Sequence, residues 1–159
     1  MRTLIAYATK HGTTEKCARM LQESIGGEID LVDLDKDSTV SPDSYDTVII
    51  GGSVYAGSIR KEVTAFCRKH LETLKTKNTG LFICGLGEGE EAEKELKASF
   101  PAELLESAKA KAAFGGELIF GNLNFMERVI MKKMAKTDKD ISKLNEEVIQ
   151  DFSEKMTKV

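Results

Sequence analysis

A short apolar run, Leu4 to Tyr7, gives way almost at once to a helical pattern with Cys17, Ala18, Leu21 and Ile25 on one face. That spacing reads as a buried strand turning directly into an amphipathic helix. It leaves room for one tight connection, Ala8-Thr9-Lys10-His11-Gly12-Thr13-Thr14, with no carboxylate before Glu15. The amides of a helix's first turn lack intrahelical partners, and the helix dipole favours an anion beside them. Gly12 permits close approach of the backbone, and the threonine hydroxyls add donors. A hydrogen bond to a charged group contributes about 1.5–3 kcal/mol net, so this turn suits a terminal phosphate held without a metal. The competing reading is an ordinary capped turn with polar decoration.

The remaining chain repeats the strand-then-helix rhythm. Gly26-Gly27 stops the first helix, and Glu28 to Leu34 alternates weakly, as an edge strand does. Asp35 to Tyr45 has room for one helical turn, started by Ser41-Pro42. Thr47 to Gly52 is a β-branched run of the kind buried on both faces of a parallel sheet. A loop, Ser53 to Ser58, leads to a helix with Ile59, Val63, Phe66, Cys67, Leu71 and Leu74 on one side. Leu81 to Cys84 is the fourth strand, followed by Gly85-Leu86-Gly87-Glu88-Gly89. Two helical pieces divide at Phe100-Pro101. Ala113 to Phe120 reads as the fifth strand, loosened at Gly115-Gly116. The last helix is expected from Thr137, where Thr-x-x-Asp140 looks like a capping box, with Ile141, Leu144, Val148, Phe152 and Met156 inward.

Alternating strands and helices predict an α/β fold, a doubly wound five-stranded parallel sheet with helices on both faces. Ligands of such sheets sit beyond the carboxyl ends of the strands, where strand order reverses. The loops after strands one, three and four should therefore share one crevice. The 159 residues read as one domain, 1–159. A formal charge of −3 and a pI near 5.5 argue against a nucleic-acid partner. No apolar run approaches the ~20 residues of a membrane span, and Met1-Arg2-Thr3 enters a strand with no signal-peptide core. Cys17, Cys67 and Cys84 are far apart and contain no CxxC pair, which excludes a zinc cluster and points to a reducing, cytoplasmic setting.

Thr9-x-x-Gly12-x-Thr14, the later Ala18 and Leu21, and the glycine-bearing loops after strands three and four resemble the flavodoxin family along the whole chain. The order 2-1-3-4-5 is what that resemblance implies, flavodoxin being itself the standard illustration of the switch-point rule. Gly52-Ser53-Val54-Tyr55-Ala56-Gly57, Gly116-Glu117-Leu118 and Asn122-Leu123-Asn124-Phe125-Met126-Glu127-Arg128 are similar to a narrower branch, the flavodoxin-type menaquinone-dependent protoporphyrinogen oxidases and their relatives. The resemblance implies FMN, with its phosphate on Thr9, Lys10, His11, Gly12, Thr13 and Thr14. The isoalloxazine edges then lie against Ser53, Val54, Tyr55, Ala56 and Gly57 and against Gly85, Leu86 and Gly87. Two features depart from the family. Gly85 to Glu95 contains no aromatic to stack on the outer flavin face, and the long insertion of the porphyrinogen-oxidising enzymes is missing.

Tyr55 is the one aromatic in the two flavin-facing loops, and flavin stacking competes with packing on its own helix. Lys10 and His11 either offset phosphate charge or stay solvated, while His70 and Cys84 read as structural. Glu88, Glu90, Glu91 and Glu93 form a solvated helix start favoured by the dipole; beside a flavin they would disfavour its anionic reduced form, and they would steer a basic partner. Residues 122–136 add an amphipathic helix, with Leu123, Met126, Ile130 and Met134 on one stripe and Arg128, Lys132, Lys133 and Lys136 on a basic face. The bland reading is a cover for the sheet edge. The functional one is a wall on the flavin face for an apolar donor or acceptor (a quinone or porphyrinogen), or a peripheral membrane contact. No side chain is arranged as nucleophile or metal ligand. The expected function is electron transfer through FMN, by an oxidoreductase or by a carrier docking on redox proteins, with a cofactor-free interaction module as the distant alternative. A phosphoryl-receiving signalling domain is excluded, because Ala8-Thr9-Lys10 and Gly51-Gly52-Ser53 stand where its acidic residues belong.

Overall fold

The computed structural model describes residues 2–158; Met1 and Val159, the ends of the predicted domain, lie outside the described residues. The chain opens with strand β1 (Arg2–Ala8), helix α1 (Thr13–Ile25) and strand β2 (Glu28–Asp33). Strand β3 (Thr47–Tyr55) and the two-residue β4 (Ser58–Ile59) precede α2 (Lys61–Lys69) and α3 (Leu71–Leu74). Then come β5 (Asn78–Cys84), α4 (Gly89–Ser99), α5 (Ala102–Ser107) and β6 (Ala110–Ala113). The last quarter holds β7 (Glu117–Leu118), a 3-10 turn at Phe120–Asn122, α6 (Phe125–Ala135), β8 (Ile141–Ser142) and α7 (Glu146–Thr157). The parallel sheet runs β2-β1-β3-β5-β6, with β4 folded back on β3. Leaving out that short hairpin strand, this is the expected 2-1-3-4-5 order.

Strand alternation sorts the core into two layers. Leu4, Ala6 and Ala8 of β1 face the layer that contains Val63 and Phe66 of α2 and Leu104 of α5. Ile5 and Tyr7 face the layer with Cys17 and Leu21 of α1 and Phe152 and Met156 of α7. In the second layer Phe82 stacks on Phe114 at 4.6 Å between centroids and meets Phe152 edge-on at 6.1 Å. Gly51 makes room for this cluster, because a Cβ there would collide with the Phe82 ring.

Several segments differ from expectation. The loop after β3 is in fact the continuation of the strand, and Ala56 (φ 53°) with Gly57 (φ 82°) closes a two-residue hairpin onto β4. Asp35 to Tyr45 forms turns and no helical turn. The single helix expected after Ser58 breaks at His70, whose ring packs 4.9 Å from Phe66. The fifth sheet strand is Ala110–Ala113, not Ala113 to Phe120; its small side chains carry little β-propensity and hid it. The chain then leaves the sheet because Gly115, at φ 82°, lies against the Lys143 carbonyl, and a Cβ on Gly116 would come within 2.7 Å of Gly85. Glu117–Leu118 pairs instead with Ile141–Ser142 as a separate antiparallel ribbon.

The last helix starts at Glu146, not near Thr137. Asn145 caps it by accepting from the Val148 amide at 3.1 Å. Among the described residues Thr137 accepts from Lys139 N alone, and Asp140 accepts from Phe120 N across the ribbon. The capping box belongs to α6, where Asn124 and Glu127 exchange side-chain and backbone hydrogen bonds. Among the described residues no helix is long and apolar enough to cross a membrane.

Candidate functional site

The carboxyl ends of β1, β3 and β5 open on a cavity of about 390 Å³. Its lining includes Thr9, Lys10, His11 and Thr13 from the first turn, Ser53, Val54, Tyr55, Ala56 and Gly57 from the hairpin, and Gly85, Leu86 and Gly87 from the loop after β5. Three loops far apart in sequence thus meet at one place. Gly12 and Thr14 of the same turn do not line the cavity. Gly12 is the N-cap of α1, in the left-handed region at φ 96°, and its amide donates to Thr9 Oγ1 at 2.8 Å. A glycine cap offers no side-chain acceptor, and none reaches the first turn of α1 from elsewhere in the cap. Its amides therefore stay available to an anion.

Two hydroxyls of these loops, Thr14 Oγ1 and Ser53 Oγ, are buried with no hydrogen-bond partner among the described residues. A buried donor left unmade costs about 1–3 kcal/mol; Ser53 borders the cavity, where a ligand would satisfy it, and Thr14 lies just behind the lining beside Cys84. Tyr7, at the end of β1, donates its hydroxyl to Glu15 Oε1 at 2.7 Å and ties the strand to the helix start. Burial, and after it Glu15, pushes that phenol well above its ordinary value. Cys84 lines the cavity but is 2% exposed, and its thiol donates to Cys17 Sγ at 3.6 Å. The Cys17 contact and burial raise the Cys84 thiol far above the thiol range, so it remains protonated core.

The far wall comes from the last quarter of the chain. Gly116, Glu117, Leu118, Leu123, Ile130, Met131 and Met134 complete the lining, with Glu91 and Glu95 from α4. The stripe of α6 that seats on the protein is not the one the apolar pattern indicates. Met131 is buried, with Leu123 before the helix and Ala135 near its end packed in the same small cluster. Met126, Ile130 and Met134 are exposed, although Ile130 and Met134 still border the cavity. The fourth position of the seated stripe is Glu127, whose Oε2 lies 3.3 Å from Lys10 Nζ and 3.1 Å from His11 Nε2. The Asn124 amide, and after it Lys10 and His11, holds this carboxyl below its ordinary value, with burial acting the other way. Lys10 Nζ also sits 3.8 Å above the Tyr55 ring, a cation–π contact.

Sequence reasoning missed Glu127 as a clamp and Glu95 as cavity wall. The Asn124-x-x-Glu127 capping pair was a readable signal for the first. For the second, Glu91 and Glu95 stand one helical turn apart, and burial followed by Glu91 raises the Glu95 carboxyl. Among the described residues no group of three His, Cys, Asp or Glu side chains is placed to hold a metal ion.

A profile described as Flavodoxin domain matches residues 4–145, and the chain belongs to that family. Proteins of this family carry FMN. No curated protein sequence matches the chain. Solved structures with the same fold include oxidised Flavodoxin 1 from Bacillus cereus, at 13% identity and TM-score 0.61 over 98% of this chain and 97% of that one. The flavodoxin of Streptococcus pneumonia TIGR4 aligns at 17% identity and TM-score 0.56 over 98% and 97%. The flavodiiron protein of Giardia intestinalis aligns at 12% and 0.56, over 98% of this chain but 34% of that one. At these identities the likeness concerns the fold alone.

Proposed function

We propose that the cavity holds FMN and that the protein transfers electrons through it. The observation that carries this reading is the uncapped first turn of α1, opening where the ends of β1, β3 and β5 converge. The α1 amides, the Thr9, Thr13 and Thr14 hydroxyls and the Lys10 and His11 side chains would hold the phosphate. Ser53, with its orphaned hydroxyl, the Tyr55 hairpin and Gly85 to Gly87 would bracket the ring system. Bound FMN supplies the redox chemistry. The chain's own residues bind and orient it, and Leu118, Leu123 and Met131 keep water from one side.

Within that reading, an oxidoreductase acting on a quinone- or porphyrinogen-like compound is favoured over a sealed carrier. Support comes from the resemblance to the menaquinone-dependent protoporphyrinogen oxidase branch, the absence of a stacking aromatic in Gly85 to Glu95, and the apolar rim of Ile130, Met131 and Met134. The carrier reading rests on the exposed acids Glu90 and Glu93 of α4, a surface for a basic redox partner. Glu91 and Glu95 on the cavity wall would disfavour an anionic reduced flavin in either case.

The test has two parts. FMN should bind about 10²–10⁴-fold more tightly than riboflavin, the equivalent of two charged hydrogen bonds, and Thr9→Ala with Thr14→Ala should narrow that ratio. Equal affinities for the two flavins would overturn the phosphate assignment. Anaerobic turnover with a soluble menaquinone analogue, slowed at least tenfold by Ile130→Ser with Met134→Ser while FMN affinity holds, would separate enzyme from carrier.

A further inference from the structure

Every exposed large hydrophobic among the described residues lies in one helix: Phe125, Met126, Val129, Ile130 and Met134 of α6. Phe125 and Met126 are 79% and 70% exposed, and neither lines the cavity at the strand ends. They stand on the outer ridge of the helix, and Phe125 and Val129 also border a shallow depression of about 490 Å³ with Phe120, Arg128 and Lys132. A protein whose net charge is −3 places Arg128, Lys132, Lys133, Lys136 and Lys139 in this segment, against Asp138 between them. Lys132 pairs with Asp138 at 3.9 Å and Arg128 donates to the Phe120 carbonyl, while Lys133, Lys136 and Lys139 make no ion pair among the described residues.

We propose that α6 seats the protein on an anionic lipid surface, its apolar ridge entering the acyl boundary and its lysines meeting the headgroups. Apolar side chains on a short helix flanked by cations are the elements of interfacial binding. A second copy of the chain fits this face poorly, because an isologous pairing sets the patch against itself and lysines against lysines. The lysines without an ion-pair partner beside this apolar face favour an anionic surface that meets both at once. Ile130 and Met134 belong both to the ridge and to the cavity rim, so a seated helix brings the rim to the lipid. That consequence rests on the cavity reading above; the binding itself does not.

The chain contains no tryptophan, so Val129→Trp gives a single reporter on the ridge. Titrating this variant, without flavin, with vesicles of one-third phosphatidylglycerol in phosphatidylcholine should blue-shift its emission and carry the protein down on sedimentation. Pure phosphatidylcholine should bind at least tenfold more weakly. Lys133→Gln with Lys136→Gln should weaken partitioning about 25-fold, roughly fivefold per charge, and Phe125→Ser with Met126→Ser at least tenfold, each with an unchanged far-UV spectrum. Equal binding to neutral and anionic vesicles, no binding to either, or a dimer in sedimentation equilibrium that Phe125→Ser with Met126→Ser dissociates would each overturn the proposal. Vesicle binding lost with quinone turnover in detergent intact would remove this inference and leave the redox reading standing.

Discussion

The cavity is built from two walls that differ in how they are held. The inner wall is the ends of β1, β3 and β5, where Leu4 to Ala8 and Val48 to Ile50 are at most 3% exposed and each strand has a paired neighbour on both sides. The outer wall is the excursion from Gly115 to Leu144. It has one two-residue ribbon, a cluster of three buried side chains (Leu118, Leu123 and Met131), and a helix with most of its surface in water. Stability should be distributed unevenly in such an arrangement, the inner wall opening only with global unfolding and the outer wall opening alone. A rigid binding face and a separately movable cover follow from how much apolar surface each segment buries.

The largest effect expected from this contrast is at Phe82. Its ring is fully buried between Phe114 and Phe152, and Phe82→Ala should lower unfolding free energy by about 3–5 kcal/mol. Phe125→Ser, on the ridge of α6, should change it by no more than about 0.5 kcal/mol. Urea titrations of the two variants read the contrast directly. Comparable losses would mean that the two walls form one cooperative unit.

Met131→Ala probes the outer wall from inside. Removing this buried side chain forfeits about 2 kcal/mol, but the loss should be local. Amide exchange in α6 should speed up about 30-fold, while the slow amides of β3 and β5 keep their rates and the global urea midpoint stays in place. A shifted midpoint with uniform loss of protection would contradict separate opening.

The same contrast explains what could be read from the chain beforehand. The inner wall follows local rules: an apolar run, a glycine turn and a helical stripe sit within Leu4 to Ile25, so the strand–helix alternation and the three loops converging at the strand ends were legible, while the strand order came from the resemblance to flavodoxins. The outer wall is set by contacts between residues far apart in sequence. Nothing near Ala113 says that Gly115 must turn beneath Lys143, or that Glu117–Leu118 will pair with Ile141–Ser142 and leave Ala110–Ala113 as the sheet edge. Nor does apolar periodicity identify the seated stripe of α6. Met126, Ile130 and Met134 are the more hydrophobic line, yet the helix seats the face that buries Met131 and sets Glu127 beside Lys10 and His11. The long-range contacts of Met131 and Leu123 with Leu118, with the Glu127 pair beside them, outweigh the local pattern.

Glu127 is therefore where the two walls touch, and it yields the smallest and most specific prediction. Its folded value lies below the ordinary value of about 4.5. A depressed carboxyl contributes its full anchoring above about pH 4.5, and that contribution fades as pH falls through the lowered folded value. A nitroxide on Met126→Cys should thus gain mobility in that acid window, and Glu127→Gln should show the higher mobility at every pH. A mobility step that persists in Glu127→Gln would assign it to another carboxyl. The same oxygen competes with any dianion for Lys10 and His11. Glu127→Gln should then raise the FMN-to-riboflavin affinity ratio by about two- to fivefold, the scale of a partly screened ion pair. Riboflavin, with no phosphate, is the internal control: if both flavins tighten equally, Glu127 acts by steric closure of the outer wall and not by charge at the phosphate turn.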